Sequence, residues 1–155
     1  MGWGRGAVLM LPTRRLPGGR AVGADVWRRR DQSGNSRAAA ERNAAAEGVR
    51  DRVELVDADT RALPFASASF DVVVSSLAIS DIRDSDGRAQ ALREAVRVLR
   101  PGGRLRIVDD GAGCYAAVLR DAGCTGVAVR QLDWRTWYGI TGHHFPLVAA
   151  SRPPG

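Results

Sequence analysis

Lysine is absent from this 155-residue chain, so all 23 basic residues are arginine. That excludes a lysine Schiff base, a phosphate-binding P-loop lysine and a tyrosine–lysine dehydrogenase pair. Cysteine is almost as scarce. Cys114 and Cys124 lack the paired spacing of a zinc site, and two cysteines do not make a disulfide framework, so reduced, packed thiols are expected. No apolar run approaches the roughly 18 residues of a membrane span, and no signal peptide is visible. Histidine occurs only at His143 and His144.

The length suits one domain able to bury roughly 70% of its unfolded surface. The formal charge of +6 and pI near 10.8 would ordinarily raise a nucleic-acid partner. The arginines are scattered, however, apart from Arg28-Arg29-Arg30, and no aromatic platform interleaves with them. A solvated arginine surface is the simpler expectation, with neither nucleic acid nor membrane as a partner. A single domain is expected over residues 1–151, with a tail at 152–155 disordered by composition.

The glycine-rich start Gly2-Trp3-Gly4-Arg5-Gly6 leads directly into Ala7-Val8-Leu9-Met10-Leu11, a turn entering a helix that Pro12 should kink or end. A short strand, Arg20 to Asp25, then ends in an acid about 20 residues beyond the glycines, the offset at which dinucleotide-type sites place a carboxylate on ribose hydroxyls. Ser36 caps a helix over 37–47, and Gly48 stops it. The alternating segment from Arg52 predicts a strand running to the acids Asp57 and Asp59.

Phe70-Asp71-Val72-Val73-Val74-Ser75-Ser76 reads as a central strand covered on both faces, with its carboxyl end open to a ligand crevice. A helix starting near Asp84–Asp86 carries Ala89, Leu92, Val96 and Leu99 on one face. Leu99-Arg100-Pro101-Gly102-Gly103 turns the chain into a strand at 105–108. A helix around 115–122, stopped by Gly123, precedes two directly joined and therefore antiparallel strands, 127–134 and 145–150.

Four landmarks stand in order: Gly2-x-Gly4-x-Gly6, the strand-ending Asp25, Asp59-Thr60 with Leu63-Pro64-Phe65, and Ser69-Phe70-Asp71-Val72-Val73-Val74. With Leu99-Arg100-Pro101-Gly102-Gly103 before the next strand, the chain resembles a class I S-adenosylmethionine-dependent methyltransferase over nearly its whole length. The resemblance implies an α/β, Rossmann-like fold, a mostly parallel sheet with a terminal antiparallel hairpin. It also implies S-adenosyl-L-methionine as cofactor, a small-molecule methyl acceptor and a cytoplasmic enzyme.

Carried onto this sequence, the family pattern has Gly2, Gly4 and Gly6 let the backbone approach the cofactor's methionine part. Asp25 accepts from both ribose hydroxyls, Asp59 accepts from the adenine amine, and the Thr60 amide faces a ring nitrogen. Val26 and Trp27 pack beside adenine, though the tryptophan suits ordinary core equally well, and Ser75 offers its carbonyl or hydroxyl near the cofactor's amino end. The chain begins inside the glycine motif, so the family's first, central strand is expected to be missing. Its two neighbours would then be left with unpaired edges, through a misplaced start or a fragment.

No catalytic residue stands out. Asp81, Asp109, Asp110, His143 and His144 are the candidate bases near the pocket, while Trp134, Trp137 and Tyr138 suit a flat acceptor as well as they suit packing. Relatives carry a histidine around Ser80, and this chain does not. A non-catalytic cofactor-binding module and a nicotinamide dehydrogenase are the alternatives.

Overall fold

The structure is a computed structural model that describes residues 1–2, 10, 13–15, 18–27, 36–132 and 145–155. They fall into two compact units, Met1–Leu63 and Pro64–Gly155. The expected glycine turn beyond Gly2, most of the helix after it, Pro12, the arginine cluster at 28–30 and the segment 133–144 lie outside the described residues.

The first unit is a β-α-β crossover. Strand β1 (Ala21–Asp25) lies parallel to β2 (Val53–Asp57), joined through helix α1 (Arg37–Ala46) and a single 3₁₀ turn, Arg50–Arg52. Ser36 accepts from the Ala39 amide at 3.2 Å, a cap of about 1 kcal/mol. Gly48 closes the helix at φ +67°, the left-handed conformation that releases the chain toward β2. Alanines on one face of α1 permit close approach: Ala40 and Ala44 share a buried cluster with Met10, Ala21, Val49, Val53 and Leu55.

Among the described residues the second unit holds four strands and two helices: β3 (Phe70–Ser76), α2 (Ser85–Val98), β4 (Leu99–Val108), α3 (Ala112–Asp121), β5 (Thr125–Gln131) and β6 (Pro146–Ser151). The strand order is β3-β4-β6-β5, with β3 and β4 parallel and β6 antiparallel to both its neighbours. Asp84 caps α2 by accepting from the Gly87 amide at 2.5 Å. At the other end Arg152 Nη1 donates to the carbonyls of Arg97 and Leu99, at 3.2 and 2.5 Å.

This is the expected Rossmann-like α/β arrangement, with its last two strands paired antiparallel. Among the described residues β1 and β3 each end a sheet, in separate two- and four-stranded sheets.

Three expectations change. The valine run was read as covered on both faces, yet Val73 and Ser75 are buried while Val72, on the opposite face, is 45% exposed. Helices α2 and α3 pack on strands β4, β5 and β6, and the buried face carries Leu105, Ile107, Val148 and Ala150. Alternation therefore leaves the valines half covered. The Pro101-Gly102-Gly103 turn is absorbed into the start of β4, where the register slips between Phe70 and Val72 and Gly102 takes φ +76°. The expected tail is tied down at its start, since Gly102 donates to Arg152 O and Arg152 donates to Gly103 O.

Candidate functional site

In the first unit the chemistry gathers at the carboxyl tips of β1 and β2. Asp25 and Asp57 end the two strands in register. The Ala58 amide donates to Asp25 O at 3.0 Å, which draws the chain after β2 past the tip of β1 and sets Asp59 and Thr60 beside it. The carbonyl of Asp25 thus faces β2, so that of Ala24 faces the other edge. There the Gly2 amide donates to it at 2.9 Å. Gly2, Asp25, Val26, Asp59 and Thr60 are brought to one end of this unit, whereas Gly4 and Gly6 lie outside the described residues.

Asp25 is nearly buried, at 8% exposure, and its Oδ1 accepts from the Trp27 amide at 2.7 Å. That bond fixes the carboxylate's direction. Trp27 adopts φ +52°, a left-handed conformation that is unusual for a bulky residue and of the kind that collects at functional sites. Its indole packs against the core cluster and donates through Nε1 to Asp57 Oδ1. Of the two residues expected beside the base, Val26 is the open one, at 43% exposure.

Asp59 is not a bare acceptor. Its Oδ1 receives the Arg61 amide at 2.9 Å and Arg61 Nε at 3.0 Å, while Oδ2 receives Nε at 3.1 Å and Nη2 at 2.6 Å. Sequence reading missed Arg61, although a cation two residues after a turn acid is a recognisable local pair.

In the second unit Ser75 lies near the end of β3 on the helix-covered face, 3% exposed, with a buried hydroxyl that has no hydrogen-bond partner. Only its carbonyl suits a ligand at the strand tip. Leu77, just beyond, repeats the left-handed conformation at φ +51°.

Asp109 follows β4 and is fully buried. Its Oδ2 accepts the amides of Ile79 and Ser80, at 3.1 and 3.2 Å, and its Oδ1 accepts that of Asp110 at 2.8 Å. Arg88 holds the same loop by donating to Ile82 O and Arg83 O, at 2.7 and 3.0 Å. Asp109 is therefore a brace on the loop after β3 and not a base. Asp81 and Asp110 are exposed, and His143, His144, Trp134, Trp137 and Tyr138 lie outside the described residues. Among the described residues no cluster of side chains could hold a metal ion.

Tyr115 on α3 is 2% exposed, with its hydroxyl facing the Asp109 carboxylate but outside ordinary hydrogen-bond geometry. Burial, and then the charge of Asp109, push its pKa up. The folded state thus holds this proton more tightly than the unfolded chain. Its contribution is complete below the ordinary value of about 10 and is lost as pH rises above it. Tyr115→Phe should leave stability at pH 8 unchanged or raise it by up to about 1 kcal/mol, and should flatten the fall in melting temperature as pH rises above about 10. A variant with the wild-type slope would show that another group carries the alkaline loss.

A crossover whose first strand ends in a nearly buried acid, beside a second acid on a tight turn, defines an α/β domain of the nucleoside-binding kind. Comparison with known proteins narrows this. Residues 1–107 match the family described as Methyltransferase domain. A ubiquinone/menaquinone biosynthesis C-methyltransferase UbiE of Cereibacter sphaeroides is 38% identical over 107 residues, covering 68% of this chain and 39% of that protein. Two solved structures share the fold. The [4+2]-cyclase SpnF superposes with a TM-score of 0.76 at 19% identity, covering 99% of this chain and 74% of that one. A geranyl diphosphate methyltransferase in complex with SAM gives 0.72 at 18% identity, covering 97% and 75%. The chain belongs to the methyltransferase domain family. It spans between about a quarter and two-fifths of the length of the curated relatives it matches.

Proposed function

We propose that this chain binds S-adenosyl-L-methionine and directs its methyl group to carbon on the ring of a small quinone-type acceptor. The observation that carries the reading is the tip of β1, where Asp25 is held in a fixed direction beside the Asp59 turn. The donor set fits the cofactor: a carboxylate is a two-oxygen acceptor matched to a ribose diol. Exposed Val26 offers an apolar surface for a flat base. The acceptor class follows the printed function of the UbiE relatives, and family membership sets aside the dehydrogenase alternative.

The cofactor supplies a methyl group activated on a sulfonium. Asp25 accepts from the sugar, Asp59 and the Thr60 amide read the base, and Gly2 keeps the backbone close without a side chain. Methyl transfer gains most from alignment and from exclusion of water. Two free cysteines and the absence of a membrane-spanning helix among the described residues accord with the cytoplasmic setting we propose.

The test is transfer of a labelled methyl group from S-adenosylmethionine to a panel of hydroquinones and naphthols, alongside calorimetry with S-adenosylhomocysteine. Label on a ring carbon is the expected result. Binding without transfer to any ring would remove the acceptor class, and no binding would remove the cofactor.

A further inference from the structure

We propose that Arg61 is a latch on the base-reading acid, one that a base's exocyclic amine displaces and a carbonyl at the same position leaves in place. The inference rests on the cofactor reading above and adds a residue to it.

A carboxylate offers about four acceptor positions. The Arg61 amide and Nε use those of Asp59 Oδ1, and Nε and Nη2 use those of Oδ2. Three N–H groups, the single Nε proton shared between the two oxygens, thus already cover both oxygens of the acid that should receive the base's amine. Entry of the base requires donors to leave, and they are not equally mobile. The Arg61 amide is fixed by the turn that the Ala62 amide closes on Asp59 O at 3.0 Å. The guanidinium belongs to a side chain 43% exposed to solvent, so it can swing away by rotation about its own bonds.

The exchange has a chemical selectivity. An adenine-type amine is a donor and replaces Nε and Nη2 on the carboxylate. A hypoxanthine-type base presents a carbonyl there, which repels the acid and accepts from the guanidinium, so it leaves the latch in place. Arg61 therefore opposes every ligand that must reach Asp59, and an amine overcomes it.

The experiment is calorimetry on the full chain with S-adenosylhomocysteine and with S-inosylhomocysteine, comparing wild type, Arg61→Ala and Arg61→Gln. An exposed ion pair sets the scale. S-adenosylhomocysteine should bind Arg61→Ala about fivefold more tightly than wild type at low salt, with Arg61→Gln between the two. The gap should narrow at high salt as the wild-type pair is screened. S-inosylhomocysteine should gain nothing.

Equal tightening for both ligands would overturn the selectivity. Unchanged or weaker S-adenosylhomocysteine binding in Arg61→Ala, with wild type binding normally, would overturn the latch and leave the cofactor reading intact. Absence of binding by wild type would remove both. The variant residue is exposed and outside the core, so retained melting temperature serves as the control for folding.

Discussion

Asp109→Ala is expected to destabilise the protein by about 3 kcal/mol, because three backbone amides lose a charged acceptor at once and the Ile79 amide is left buried. Set against a total of roughly 5–15 kcal/mol for a domain, that would leave a chain at the low end of the range with only about 2 kcal/mol. The conservative change separates the two oxygens. Asp109→Asn keeps an oxygen that can serve the amides of Ile79 and Ser80, which share Oδ2, and gives up the bond to the Asp110 amide on Oδ1. About half the loss should return. Urea unfolding at pH 7 measures both variants. A loss below about 1 kcal/mol for the alanine variant, or equal losses for the two, would mean that water or a neighbouring group replaces the brace.

The same residue shows where sequence reading stops. Asp109 was legible as an acid at a strand end, which suits a base, a cap or a ligand contact equally well. Its partners lie about thirty residues earlier in the chain, and only the parallel pairing of β3 with β4 brings them together. Locally determined features were readable: the Ser36 and Asp84 caps, the left-handed Gly48 and Gly123, and the limits of β3 all follow from short-range preferences.

Features set by neighbours in space were not readable. A run of three valines states that a strand is apolar, but not how many of its faces a helix will cover, and Val72 is half open as a result. The reach of Trp27 was ambiguous for the same reason. Its positive φ, with the indole packed on the core, is a property of the turn that no composition rule assigns to tryptophan.

Asp25→Ala should weaken S-adenosylhomocysteine binding by about 100-fold or more. A site built to hydrogen-bond a hydroxyl pair loses both bonds together, and bonds to a charged acceptor are worth about 1.5–3 kcal/mol each. The loss can be assigned to the sugar by pairing the variant with a 2′-deoxy ligand. If Asp25 meets the diol, the deoxy change should cost wild type about tenfold and the variant almost nothing, because the partner of the missing hydroxyl is already gone. Asp25→Asn retains one acceptor oxygen and should fall between. The Trp27 amide also loses its acceptor in the alanine variant, so a drop of a few degrees in melting temperature is expected and must be separated from the binding loss by working well below the transition. Additive costs of the variant and the deoxy ligand, each as large alone as together with the other, would place the ribose elsewhere and leave Asp25 the narrower task of holding the turn at Trp27.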